Sequence, residues 1–73
     1  MKLYYRSIYV GNYDICAVGT TPQKCINAIV RKYHQQFGSF AENGFKSKSE
    51  WIEWHGLEIE SCDEIELDKA WIR

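Results

Sequence analysis

The alternation of apolar and polar residues changes period along this chain, and each change marks an element. Residues 3–10, LYYRSIYV, and 13–18, YDICAV, are crowded with aromatic and β-branched side chains and are parted only by Gly11-Asn12, two residues that tolerate positive φ. That combination predicts a β-hairpin with a two-residue turn. Pairing across it sets Val10 opposite Tyr13, Ile8 opposite Ile15 and Arg6 opposite Ala17, so Ile8, Val10, Tyr13, Ile15 and Ala17 share a core face. The reverse face carries Tyr5, Ser7, Tyr9, Asp14, Cys16 and Val18, and is too aromatic to be merely solvated.

In TTPQKCINAIVRKYHQQFG the period lengthens: Cys25, Ile26, Ile29, Val30, Tyr33 and Phe37 recur at steps of three and four. Thr20 or Thr21 caps the helix, Pro22 fits its first turn and Gly38 ends it. Its opposite face gathers Lys24, Asn27, Arg31, His34 and Gln35, with Lys32 alongside. Residues 39–46 form a connection that turns at Asn43-Gly44 and tucks Phe40 and Phe45 under the domain. Ser47 and Glu50 have capping-box spacing and open a short helix that runs to about His55, closed by Gly56. Alternation of period two then returns, with Leu57 and Ile59 against Glu58 and Glu60, and Ile65 and Leu67 against Glu64, Glu66 and Asp68. Ser61 to Asp63 interrupts it, so residues 57–72 form either one bulged strand or a hairpin. The expected fold is a single α+β domain over 1–73, of order β-β-α-α-β(-β), with an antiparallel sheet of three or four strands and the long helix packed on one face.

Composition explains how so short a chain holds together. A chain of about 60 residues buries only about 60% of its unfolded surface, so stability must come from large side chains, cross-links, metal or self-association. Three Trp, five Tyr and three Phe among 73 residues supply size. Cys16, Cys25 and Cys62 are odd in number and form no CxxC pair, which reads as reduced, packed thiols and not as a disulfide scaffold or a zinc site. Arg6 interrupts the apolar stretch that a signal peptide needs and no run reaches the length of a membrane span, so no membrane and a cytoplasmic location are expected.

The net charge of −1 hides an asymmetry: residues 1–48 hold seven basic and two acidic side chains, +5, and residues 49–73 two basic and eight acidic, −6. The basic helix face can contact phosphates, although a domain with a pI near 6.1 is not basic overall. Glu58, Glu60, Glu64, Glu66 and Asp68 on an extended segment would repeat negative charge roughly every 7 Å, the style of a nucleic-acid mimic, or would simply guard an edge strand. Trp51, Trp54 and His55 stand at i, i+3 and i+4. They form either a platform on which a base stacks, or an indole core beside a histidine whose charge the helix end favours, and a domain short of buried surface favours the core for at least one indole. No catalytic or cofactor signature is present (no GxSxG, GxxxxGKS, GxGxxG or HExxH), so no enzyme and no cofactor are expected.

In size, β-β-α-(α)-β order, aromatic excess and acidic stretch the chain is similar to small anti-defence proteins of phages and mobile elements, a group that includes anti-CRISPR-type inhibitors and sponges for immune signalling nucleotides. The resemblance implies action by binding, through occlusion of a host immune protein or sequestration of a signalling nucleotide, and the uncovered sheet face with Tyr5 and Tyr9 points to a homo-oligomer. The candidate contact residues are Tyr5, Arg6, Tyr9, Lys24, Arg31, Trp54 and His55, with Glu58, Glu60, Glu64 and Glu66 as an acidic face toward a protein partner. The alternative is a small nucleic-acid-binding regulator that uses the basic face of helix 22–37.

Overall fold

The structure, a computed structural model, describes residues 2–66. Strands β1 (Lys2–Val10) and β2 (Tyr13–Gly19) pair antiparallel in the register that the turn dictates, Val10↔Tyr13, Ile8↔Ile15, Arg6↔Ala17, with Gly11 at φ 61 in the left-handed region. A third strand, β3 (Asp63–Glu66), joins the other side of β1 antiparallel, from Lys2↔Glu66 to Tyr5↔Asp63. The sheet order is β2-β1-β3, so β1 is central and β2 and β3 are its edges.

Helix α1 (Pro22–Phe37) begins at Thr21, whose Oγ1 accepts from the Lys24 amide at 3.1 Å, and places Pro22 where a missing N–H costs nothing. Its apolar stripe of Cys25, Ile26, Ile29, Val30 and Tyr33 is buried over Ile8 and Ile15 of the sheet. The approach at its start is close enough to demand glycine, because a Cβ on Gly19 would sit 2.6 Å from the Cys25 backbone nitrogen. Val10 and Ala17 are partly buried as the core face requires, but Tyr13 is 57% exposed and meets Phe37 edge-on at 5.6 Å. The core face thus thins toward the turn, where α1 reaches it through Phe37, its last residue.

Helix α2 (Lys48–His55) is capped by Ser47, whose Oγ accepts from the Glu50 amide, while Glu50 Oε2 reaches back to the amide of Lys46. Trp51 is fully buried, with ring centroids 4.8 Å from Tyr33, 5.2 Å from Phe40 and 4.9 Å from His55. Phe40 and Phe45 do pack against this cluster from the connection. The indole N–H of Trp51 finds no acceptor among the described residues.

The segment after α2 departs from the expected strand. Leu57 is buried in the core, but from a loop; Ile59–Ser61 is a 3-10 turn, and the strand starts only at Asp63. The Ser61 amide and hydroxyl both donate to the Glu58 carbonyl, at 2.9 and 2.6 Å, and this local closure replaces the ladder an extended segment would have made. Glu58 and Glu60 therefore do not lie on a strand with Glu64 and Glu66, and no single row of carboxylates runs through the four. The extension through Leu67 and Asp68 toward residue 72 lies outside the described residues. No helix among the described residues is long and apolar enough to cross a membrane.

Candidate functional site

Helix α2 divides its two indoles between interior and surface. Trp51 faces α1, whereas Trp54, three residues on, is 76% exposed and touches Phe45 only edge-on at 6.3 Å. Glu50 lies one turn before Trp54 on the same side of the helix, and Glu53, Glu58 and Glu60 are close along the chain. Residues 49–66 contain seven carboxylates and no Lys or Arg, and every one of the seven is exposed. Glu64 forms a salt bridge with Lys2 at 3.1 Å. The result is a large apolar side chain presented to solvent from a stretch of sequence rich in exposed carboxylates.

His55, next to it, is half-buried between Trp51 and Phe45. Burial, reinforced by the Arg6 guanidinium, pushes its pKa below the usual 6.5. This reverses the expectation that the helix C-terminus would favour the charged imidazole: desolvation and a like charge outweigh the dipole.

Arg6 shows what the sequence reading missed. On the core face of β1 and half-buried, it donates from Nε to Ser61 Oγ at 3.0 Å, and from Nη2 to the carbonyls of His55 and Gly56 at 3.4 and 3.3 Å; Nη1 also donates to the Ser7 carbonyl. The guanidinium binds the negative end of α2 and the 3-10 turn to the central strand, which is an internal use for a residue expected to meet a ligand. An arginine in line with Ile8 and Val10 on the core face of β1 was the available signal.

Lys24 and Arg31 are exposed on α1 and converge, with Thr20 and Asn27, on a recess of about 370 Å³ beside Val18 and Gly19. Tyr5 is half-buried and donates from its hydroxyl to Cys16 Sγ at 3.7 Å, while Tyr9, on the same sheet face, is exposed. Neither Tyr5, Tyr9, Trp54 nor His55 lines that recess, so the cations and the aromatic rings expected to act together on a nucleotide are not brought together there.

A second concavity, of about 570 Å³, runs between edge strand β2 and α1. Tyr13, Val18, Ala28 and Phe37 give it an apolar lining, with Asp14 and Lys32 as charged members. Its sequence signals are an edge strand without Lys or Pro and a small residue, Ala28, on the helix surface above it.

All three cysteines are free thiols, Cys16 exposed, Cys62 half-buried and Cys25 buried. Burial, then the neighbouring Cys62, pushes the Cys25 thiol up to about 11, so it is held as a thiol and donates to the Ala17 carbonyl at 3.3 Å. No group of three His, Cys, Asp or Glu that could hold a metal ion occurs among the described residues. No family model matches the chain, and no curated protein or solved structure is significantly similar to it.

Proposed function

We propose that this is a non-enzymatic binding protein of the anti-defence type, working in the cytoplasm as a homo-oligomer, and that it occludes a cationic surface on a host immune protein. The observation that carries the reading is Trp54, 76% exposed on an eight-residue helix within a stretch of seven carboxylates and no cation. Exposed Trp is the side chain most enriched at the energetic centre of protein interfaces. The carboxylates of this stretch disfavour nucleic acid and favour Lys- and Arg-rich grooves, the kind by which immune nucleases hold their guides and targets.

The test is rescue of phage plaquing in bacteria that carry a panel of nucleic-acid-targeting defence systems, followed by titration against the purified target. Trp54→Ala is expected to weaken binding by about thirtyfold, the effect of a hot spot worth about 2 kcal/mol. Glu58→Gln with Glu60→Gln should mainly slow association and flatten its salt dependence. Rescue that is indifferent to Trp54→Ala, or no rescue across the panel, would sink the proposal.

A second reading rests on the recess between Lys24 and Arg31: capture of a phosphate-bearing ligand, whether a signalling nucleotide or a nucleic-acid backbone. Affinity for a short oligonucleotide should then fall steeply with salt and be lost in Lys24→Ala with Arg31→Ala. A flat salt response removes it.

A further inference from the structure

One face of the sheet lies under α1 and the other is open, and we infer that the open face docks a basic segment of a partner protein, an extended stretch with Arg or Lys at positions i and i+4. This goes beyond the reading based on Trp54 and does not involve that residue.

Strand alternation decides what the face carries. Ile8 and Ile15 are buried beneath α1, so the opposite side holds Tyr5, Ser7 and Tyr9 of β1, Asp14 and Cys16 of β2, and Asp63 of β3. Each tyrosine has a carboxylate directly across from it, Tyr9↔Asp14 toward β2 and Tyr5↔Asp63 toward β3. Cβ atoms paired in this way are about 4.5–5.5 Å apart, so a ring and a carboxylate meet the same cation. Tyr9 is 74% exposed, and both aspartates are exposed. Tyr5 is half-buried, and the bond from its hydroxyl to Cys16 Sγ draws its ring across the sheet. Between the rings stand only Ser7 and, opposite it, Cys16, which keep the middle of the face low.

Charge names the occupant. Lys2 and Arg6 alternate onto the other side of β1, where Lys2 is held by Glu64, and Arg6 by Ser61 and the carbonyls of His55 and Gly56. Helix α1, with three cations and no carboxylate, covers that same side. Asp14 and Asp63 form no ion pair among the described residues. The open face is thus aromatic and anionic, and its complement is a guanidinium or ammonium that packs on a tyrosine ring while donating to the neighbouring carboxylate. Tyr5 and Tyr9 are four residues apart on one strand, about 13 Å, which is the spacing of residues i and i+4 in an extended partner whose two side chains point the same way.

The same charges argue against a second copy. Two such faces packed about a two-fold axis bring four carboxylates together and no cation. Packing of the face on α1 of another copy matches charge, but that contact is heterologous and builds an open filament unless its rotation closes.

The test titrates the peptide Gly-Arg-Ser-Thr-Ser-Arg-Gly into the isotope-labelled full chain and follows the amide chemical shifts. Binding in the millimolar range should move the amides of residues 5–9, 14–16 and 63, and should vanish when both arginines of the peptide are replaced by glutamine. Asp14→Asn with Asp63→Asn should weaken it by about tenfold or more at unchanged circular dichroism, and Tyr9→Ala by about threefold or more. Trp54→Ala should leave the titration unchanged, so failure here and failure of the Trp54 reading are separate results. Shifts confined to α2 and residues 58–60, or an affinity indifferent to the two Asp→Asn changes, would overturn the proposal and leave general attraction to the acidic segment. Dilution of the protein alone that moves the same amides would give the face to a second copy, and shifts with adenosine monophosphate but not with the peptide would give it to a nucleotide; either result overturns the proposal.

Discussion

Trp51 and Trp54 stand three residues apart on one short helix and meet opposite fates, the first fully buried and the second 76% exposed. Around Trp51 lie Tyr33, Phe40 and His55, all with ring centroids within 5.2 Å; around Trp54 there is the edge of Phe45 and solvent. Leaving a large apolar side chain in water forgoes about 1.5–3 kcal/mol, a substantial part of what a domain of this size has to spare. The contrast separates one flank of α2 that makes the fold from another that is available to a partner, and substitution can test that separation in order of expected effect.

The largest effect belongs to the buried flank. Trp51→Ala should cost about 3–5 kcal/mol and leave the chain largely unfolded, visible in urea denaturation followed by circular dichroism. Trp51→Phe should cost far less, because it keeps a ring among Tyr33, Phe40 and His55 and removes an indole N–H that has no acceptor among the described residues. A mild Trp51→Ala would mean that the core does not depend on this indole, and the contrast with Trp54 would collapse.

Next comes the clamp that fixes the helix. Arg6→Met keeps much of the apolar stem but removes the donors to Ser61 Oγ and to the His55 and Gly56 carbonyls, and should cost about 1–3 kcal/mol in the same assay. These partners lie 49 to 55 residues from Arg6 in sequence, so no local pattern announces them. That is the general boundary of what could be read in advance. The hairpin register was legible to the residue, because Gly11-Asn12 pins the turn and period two then assigns every side chain to a face. Both helices were legible through their caps, Thr21 and Ser47. Leu57 to Glu60 was misread because two periods of alternation also describe a loop anchored by one buried leucine, and Ser61 closes on Glu58 in preference to a strand. Of the site, the exposed carboxylates and the divided role of the tryptophans were readable as types and spacing. Which indole turns outward, and that Arg6 is spent inside, are decided by packing between elements.

A smaller effect links the two flanks through His55. Its pKa lies below 6.5 when folded, so the unfolded chain takes up the proton first as pH falls. The stability this group contributes is complete above the unfolded value and is lost as pH drops below about 6.5 toward the folded value. Thermal unfolding midpoints of the wild type should therefore decline between pH 7 and pH 5, and His55→Gln should flatten that part of the profile. Arg6→Met should flatten it partly, since the guanidinium is the second cause of the shift after burial. An unchanged slope in His55→Gln would place the pH dependence elsewhere and leave His55 without the buried role assigned to it.

The smallest effect on the fold is expected at Trp54. A side chain this exposed that meets one ring edge-on should change stability by no more than about 0.5 kcal/mol on truncation to Ala. The same substitution is expected to cause a large loss of partner binding, and that dissociation of stability from binding distinguishes an interface anchor from a structural residue. If Trp54→Ala unfolded the protein as Trp51→Ala does, both indoles would belong to the core and the acidic surface would have no anchor. If it altered neither stability nor binding, the carboxylates of residues 49–66 would be left as ordinary surface charge.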